Sequence, residues 1–236
     1  MSIKSAAALH SEVVTTKIYD STTLANAPVL PSLAAMINSS FAAHFAQFLD
    51  PAIVNGTQRL SSPNELAKDI TPGGFTVVAF SPSSPETPIA TASVKAYYND
   101  KFWEDWGDAR RVKLKQWEEE NKDAVHTQWE ITTVAVRYSP EYLKKGLATH
   151  VVNAVAEELK RRLLASQKHT DREWKTMVRV VKEINGDYWL KKGFVVVEET
   201  VIPAGILGNT ELTNWDMEKA LRFDDYSRLT TTSSSS

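Results

Sequence analysis

The chain has 236 residues, 42% hydrophobic and 24% charged, with a formal net charge of −2; this suits one sizeable globular core and leaves no broad basic surface for nucleic acid. Cysteine is absent, which excludes disulfides, thiolate metal sites and a cysteine nucleophile. No apolar run approaches the ~20 residues of a membrane span, and the first thirty residues lack the charged start and apolar core of a secretion signal, so a cytoplasmic protein with no membrane partner is expected.

Residues 13–19 alternate loosely and predict a first strand. Residues 28–48 predict a helix, because Leu30, Leu33, Ile37, Phe41, Phe45 and Phe48 recur at helical spacing along one face. Ser62 and Pro63, as N-cap and first helical residue, open a short second helix. Gly73-Gly74 leads into a strand over 75–80, a proline-rich turn over 81–88 and a longer strand over 89–98 that pairs back as an antiparallel hairpin. The triplets Asn38-Ser39-Ser40 and Asn55-Gly56-Thr57 match a glycosylation pattern by chance, since no secretion signal precedes them.

Residues 99–127 change character. Trp103, Trp106 and Trp117 stand among dense charge of both signs, and 108–121 is predicted helical without a clear face. This segment reads as an insertion on the rim of the domain. The central strand follows over 128–138. A strong helix covers 146–164, with Leu147, Val151, Val152, Val155, Leu159 and Leu163 on one face. A strand over 175–181, a short helix over 184–192 closed by Gly193, and strands over 195–201 and 211–219 complete the pattern. The Thr/Ser tail, 229–236, is expected to be disordered. No internal repeat divides the chain, so residues 1–236 read as a single domain.

The most informative segment is the run from Trp129 through Glu130 to Val136, followed by Leu143-Lys144-Lys145-Gly146-Leu147-Ala148-Thr149. It reads as a buried strand, a turn and the start of an amphipathic helix with glycine at its mouth. A helix N-terminus presents unpaired N–H groups and the positive end of the dipole. Those groups can hold a phosphate or pyrophosphate, and glycine lets the anion approach the backbone closely. A plain turn that starts a helix is the alternative reading.

The segment resembles the Arg/Gln-x-x-Gly-x-Gly/Ala acyl-CoA-binding motif of the GNAT acetyltransferases, with Gly146 and Ala148 at its fourth and sixth positions. Leu143 stands where that family has Arg or Gln, leaving Lys144 and Lys145 to supply positive charge. The element order over 13–222 is similar to the family as well. The resemblance implies a mixed α/β (α+β) fold: a central, mixed, mostly antiparallel twisted sheet of about seven strands flanked by about four helices, with an insertion before the cofactor-binding strand. It implies acetyl-CoA as co-substrate. Backbone N–H groups of Lys144, Lys145, Gly146, Leu147, Ala148 and Thr149 would cradle its pyrophosphate. The backbone of Val134, Ala135 and Val136 would pair with the pantetheine amides as with an added strand. Ile131-Thr132-Thr133-Val134 does not alternate cleanly, which fits a bulge that opens such a gap; the valines also suit a core strand.

Acetylating an amine with a thioester requires a base for the ammonium, a donor for the oxyanion and an acid for the thiolate. Glu130 is the candidate base, the one acid in a strand otherwise built of apolar residues and threonine; a solvent-facing acid at a strand start is the alternative. The N–H of Val134 or Ala135 would serve the oxyanion. The family's Asn, Tyr, Gly-Phe pattern implies Tyr188 as acid and Asn185 as a cofactor contact, ahead of Gly193-Phe194. Its tyrosine usually stands four residues before the glycine, where this chain has Trp189. Either the short helix is rotated or Tyr188 is packing. His10, His44, His126, His150 and His169 show no metal-binding spacing, so no metal is expected. His44 reads as a partly buried group, and a role beside the cofactor is open to His150.

Trp103, Trp106 and Trp117 would wall a pocket for an apolar or aromatic acceptor, with Asp100, Glu104, Asp105 and Asp108 attracting a cationic amine. The alternative is a lid anchored by tryptophans, its charges solvated. The expected function is an N-acetyltransferase acting by direct attack on a primary amine of a small-molecule or amino-acid-like acceptor, as a monomer or homodimer. Two readings remain beside it: a non-catalytic acyl-CoA-binding module, and a protein or peptide N-acetyltransferase.

Overall fold

Extended segments must pair their backbone polar groups. In this computed structural model, which describes residues 14–46, 58–99, 108–122, 124–166, 173–207 and 209–223, they do so in one sheet. The strands are β1 (Thr15–Asp20), β2 (Phe75–Ser81), β3 (Ser84–Ala96), β4 (Gln128–Val136), β5 (Lys175–Val181), β6 (Val195–Ile202) and β7 (Leu212–Ala220). Their order is β1-β2-β3-β4-β5-β7-β6. Every neighbouring pair is antiparallel except β4 and β5.

Six α-helices lie among the described residues: α1 (Ser21–Ala25), α2 (Leu30–Phe45), α3 (Pro63–Asp69), α4 (Asp108–Asn121), α5 (Leu147–Ala165) and α6 (Asp187–Lys191). A π-helical turn, Lys182–Gly186, runs directly into α6. None is long and apolar enough to cross a membrane.

The predicted helical faces make the two cores. Val151, Val155 and Leu159 of α5 pack on Val77, Val94, Ile131 and Val178 on one side of the sheet. On the other, Leu30, Leu33 and Ile37 of α2 and Leu66 of α3 pack on Val78, Phe80 and Ala135. Strand β2 is buried along its whole length, as expected of a strand covered on both faces.

Helix α4 and strand β5 fall where the patterning predicts them. Elsewhere local chemistry changes the picture. The unpredicted α1 starts because the Asp20 side chain accepts the Thr23 N–H at 2.8 Å, an N-cap that overrides a short polar stretch. The proline-rich turn predicted over 81–88 shrinks to Pro82-Ser83. Strand β3 already begins at Ser84, and a register jump between Ser81↔Ser84 and Phe80↔Pro88 absorbs the extra residues as a bulge. Asn38 is no surface acceptor: its side chain donates to Leu60 O at 3.0 Å and accepts from Leu60 N at 2.9 Å. His10, Phe48, Asn55, Asp100, Trp103, Glu104, Asp105, Trp106, His169 and the 229–236 tail lie outside the described residues.

Candidate functional site

Parallel pairing of β4 with β5 covers only Gln128↔Lys175, Trp129↔Thr176 and Glu130↔Met177. Beyond Glu130 each strand follows its other neighbour, β4 with β3 as far as Val136↔Ala90 and β5 with β7 as far as Val181↔Asn214. The sheet therefore opens as a wedge along about 20 Å of β4, between Glu130 and Val136. Backbone polar groups lining such a wedge call for partners.

A bulge shapes the wedge. Ser93 pairs with Thr132 and Thr91 with Ala135, so Ala92 alone faces Thr133 and Val134. Thr133 takes φ 51°, a strained value for a β-branched residue and one that clusters at functional sites. The extra residue shifts the alternation by one. Before it, Trp129 and Ile131 face α5; after it, Val134 and Val136 do, while Ala135 turns to the α2 side.

Past β4 the chain turns through two left-handed residues, Lys144 at φ 60° and Gly146 at φ 79°. Gly146 is the N-cap of α5, and its carbonyl accepts the His150 N–H at 2.9 Å. The N–H groups of Leu147, Ala148 and Thr149 precede that first helical bond and have no acceptor within the helix. A Cβ built at Gly146 meets nothing within 4 Å, so glycine is required here by conformation, and the space before it is open. A cavity of about 250 Å³ lies at this mouth, lined by Val136, Tyr142, Leu143, Lys144, Gly146, Leu147, Ala148, Thr149 and Tyr188. Lys145 is exposed beside it, and Val134 and Ala135 lie further down the wedge. His150 is turned instead toward β1, its Nε2 2.9 Å from Thr16 Oγ1.

Tyr188, and not Trp189, faces this cavity. The predicted 184–192 helix is in fact a π turn followed by α6. Gly186 lets the turn sit against the Trp215 ring, where a Cβ would come within 2.9 Å. At the other end Gly193, at φ 80°, donates to Leu190 O and Phe194 donates to Trp189 O, the paired bonds of a Schellman cap. Trp189 is thereby buried and Tyr188 left half-buried at the cavity wall. Tyr188 Oη and Asn185 Oδ1 are both buried with no hydrogen-bond partner among the described residues. Buried polar atoms in native proteins are normally hydrogen-bonded to protein, water or a ligand. Burial pushes the Tyr188 phenol above its ordinary value, while the nearby Thr149 side chain pulls the other way.

Glu130 sits at the last rung before the wedge opens, on the sheet face away from α5. It is 8% exposed, not the solvent-facing acid of the alternative reading. Its Oε2 lies 3.7 Å from the Nζ of Lys95, its cross-strand partner on β3. On the same face Arg179 stacks over the Tyr97 ring and reaches Asp216 Oδ1 at 3.4 Å, while the Tyr97 hydroxyl donates to Asp216 Oδ2 at 3.1 Å. Burial first of all raises Tyr97, to about 12. The insertion helix α4 closes over this side. Trp117 packs on Tyr98 and His126 at 5.2 and 5.5 Å, and Glu118 feels the charge of Lys95. A second cavity of about 190 Å³ lies here between Tyr97, Asn121, His126 and Gln128.

Sequence reasoning missed Tyr142 and Lys95. An aromatic side chain just ahead of the glycine turn was the only signal for Tyr142. Lys95 had none, because its neighbour is set by strand register.

No family model matches the chain, and no curated protein matches it in sequence. Solved structures match its fold. An N-acetyltransferase from Staphylococcus aureus aligns over 89% of this chain and 98% of its own, with TM-score 0.51 and 14% identity. A GNAT-family acetyltransferase from Streptococcus pneumoniae covers 89% and 100%, with TM-score 0.52 and 10% identity. A Salmonella typhimurium protein solved with its cofactor acetyl-CoA covers 89% and 94%, with TM-score 0.52 and 14% identity. The chain has the GNAT fold.

Proposed function

We propose that the chain is an acyl-CoA-dependent N-acetyltransferase that moves an acetyl group from acetyl-CoA to a primary amine of a small-molecule or amino-acid-like acceptor. The observation that carries this reading is the cavity at the mouth of α5, which meets the open wedge of β4 and holds Gly146, Thr149 and Tyr188 on its walls. A protein of the same fold is known with acetyl-CoA bound.

The residues present fit such a molecule. Gly146 leaves room before unpaired N–H groups, Lys144 and Lys145 add positive charge, and the orphaned Asn185 Oδ1 and Tyr188 Oη await polar partners. In this reading Lys144, Lys145, Gly146, Leu147, Ala148 and Thr149 hold the pyrophosphate, and Val134, Ala135 and Val136 pair with the pantetheine amides. When bound, acetyl-CoA supplies an activated acyl carbon and a thiol leaving group. Glu130 takes a proton from the acceptor ammonium, giving nitrogen the lone pair it needs. The N–H of Val134 or Ala135 donates to the developing oxyanion. Tyr188 Oη carries a proton for the departing sulfur. Attack is direct, because the chain has no cysteine to carry the acyl group.

CoA release measured against a panel of primary amines tests the reading. Release that depends on one amine class supports it. Acetyl-CoA binding without release from any amine would instead favour a non-catalytic acyl-CoA-binding module, a reading to which Leu143 on the cavity wall gives some ground.

A further inference from the structure

A base removes a proton that lies within hydrogen-bond reach or one water away. The N–H of Val134, proposed above to meet the developing oxyanion, stands four residues beyond Glu130 on β4, about 13 Å along an extended strand. An amine attacking there is beyond the span of a glutamate side chain, so its proton needs a carrier.

Thr132 stands between the two. Glu130 and Thr132 pair with Lys95 and Ser93 of β3 ahead of the bulge, and so share the sheet face away from α5. Same-face neighbours on a strand are about 7 Å apart, a gap that the glutamate side chain closes to one hydrogen bond or one solvent water. Thr132 is half-buried, on the stretch of β4 that has already parted from β5. Its Oγ1 meets Thr133 Oγ1 at 3.5 Å, the outer limit of a hydrogen bond, and has no closer side-chain partner among the described residues. Other strand hydroxyls are committed: Ser93 and Thr76 to each other at 2.8 Å, Thr91 to Val77 O at 2.9 Å, and Thr176 to Lys219 O at 3.2 Å. A hydroxyl both donates and accepts, so Thr132 can take one proton while it gives another.

We propose that Thr132 is a further catalytic residue of this protein, passing the acceptor's proton to Glu130; the proposal rests on the acetyl-transfer reading above. As the acceptor ammonium gives a proton to Thr132 Oγ1, the hydroxyl's own proton moves to a Glu130 carboxylate oxygen and from there to solvent. The nitrogen lone pair so freed attacks the thioester carbonyl carbon. The nitrogen–carbon bond forms, the carbon–sulfur bond breaks, and the second nitrogen proton ends on the CoA thiol. The products are the N-acetylated acceptor, CoA and one released proton.

The test compares the full wild-type chain with Thr132→Val, which keeps the shape and removes the hydroxyl, and with Thr132→Ser, which keeps the hydroxyl. Acetyl-CoA is paired with the primary amine that gives the fastest CoA release, and its binding to each preparation is measured by calorimetry. Thr132→Val should bind acetyl-CoA as the wild type does and lose roughly 10²-fold in kcat at pH 7. Thr132→Ser should turn over near the wild-type rate. The Thr132→Val deficit should shrink as pH rises toward the amine's own pKa, because a free amine needs no carrier; a packing defect would not follow the amine's titration. In the Glu130→Gln background Thr132→Val should cost little more, since both changes break one path. Wild-type kcat in mixtures of light and heavy water should curve with deuterium content, because two protons move together, and this measurement decides the matter even if a variant misfolds. An unchanged kcat in Thr132→Val, losses that multiply with Glu130→Gln, or a straight plot in mixed water overturns the proposal and leaves the transferase reading standing. No CoA release with any amine, or no acetyl-CoA binding, overturns both.

Discussion

Trp189 packs edge-on against Phe194 with ring centroids 5.0 Å apart, and this contact sets the phase of the short helix that carries Tyr188. Successive helical residues are rotated by about 100°. With Trp189 held in the core at 4% exposure, Tyr188 is turned to the cavity wall beside Gly146 and Thr149. The residue at the position where the family's tyrosine usually stands is thus a core residue, and its neighbour lines the cavity.

Tyr188→Phe follows directly. Its hydroxyl has no partner among the described residues, so removing it should leave the melting temperature nearly unchanged or slightly raised. Turnover should fall by roughly 10²-fold if Oη carries the proton for sulfur. The phenol is raised above its ordinary value, first of all by burial. Activity that needs its proton is retained below that value and lost above it. The alkaline limb of the wild-type kcat profile should therefore lie above about pH 10 and be missing in the variant.

Glu130→Gln should keep acetyl-CoA affinity and lower kcat by roughly 10²–10⁴-fold. Calorimetry and steady-state kinetics on the same preparation separate the two effects. An unchanged kcat removes Glu130 from the proton path and leaves it as the partner of Lys95.

Gly146→Ala isolates conformation from charge. A Cβ there meets no atom, but φ 79° costs a non-glycine residue about 1–2 kcal/mol. The variant should melt lower and bind acetyl-CoA more weakly. Gly146→Glu adds a negative charge where a pyrophosphate is proposed and should abolish binding.

Glu158 predicts an acid limb of stability. The Arg161 hydrogen bond at 2.6 Å, then burial acting the other way, then the Arg162 hydrogen bond at 2.7 Å set its carboxyl, and the balance lies below the usual range. A carboxyl depressed in the folded state contributes stability present above its unfolded value and lost as pH falls through its folded one. Thermal melts should fall between about pH 5 and 3, and Glu158→Gln should melt lower at pH 7 with a flatter fall.

Much of this was legible from local pattern. The faces of α2 and α5 follow from apolar spacing alone. Gly146 and Gly193 stand out because glycine occupies two left-handed positions at helix ends. The bulge at Thr133 shows as a break in alternation from Ile131 to Val134. What sequence left open depends on long-range packing. The parting of β4 from β5 after Glu130, the ion pair with Lys95 and the choice of Tyr188 over Trp189 are set by register and helix phase, which no single segment encodes.

The central claim is that acetyl-CoA binds where β4 opens and α5 begins. Calorimetric titration of the purified protein with acetyl-CoA, run beside Gly146→Glu, tests it most directly. The account predicts micromolar binding to the wild-type chain and none to the variant. Equal affinity in the two, or no binding to either, would contradict it.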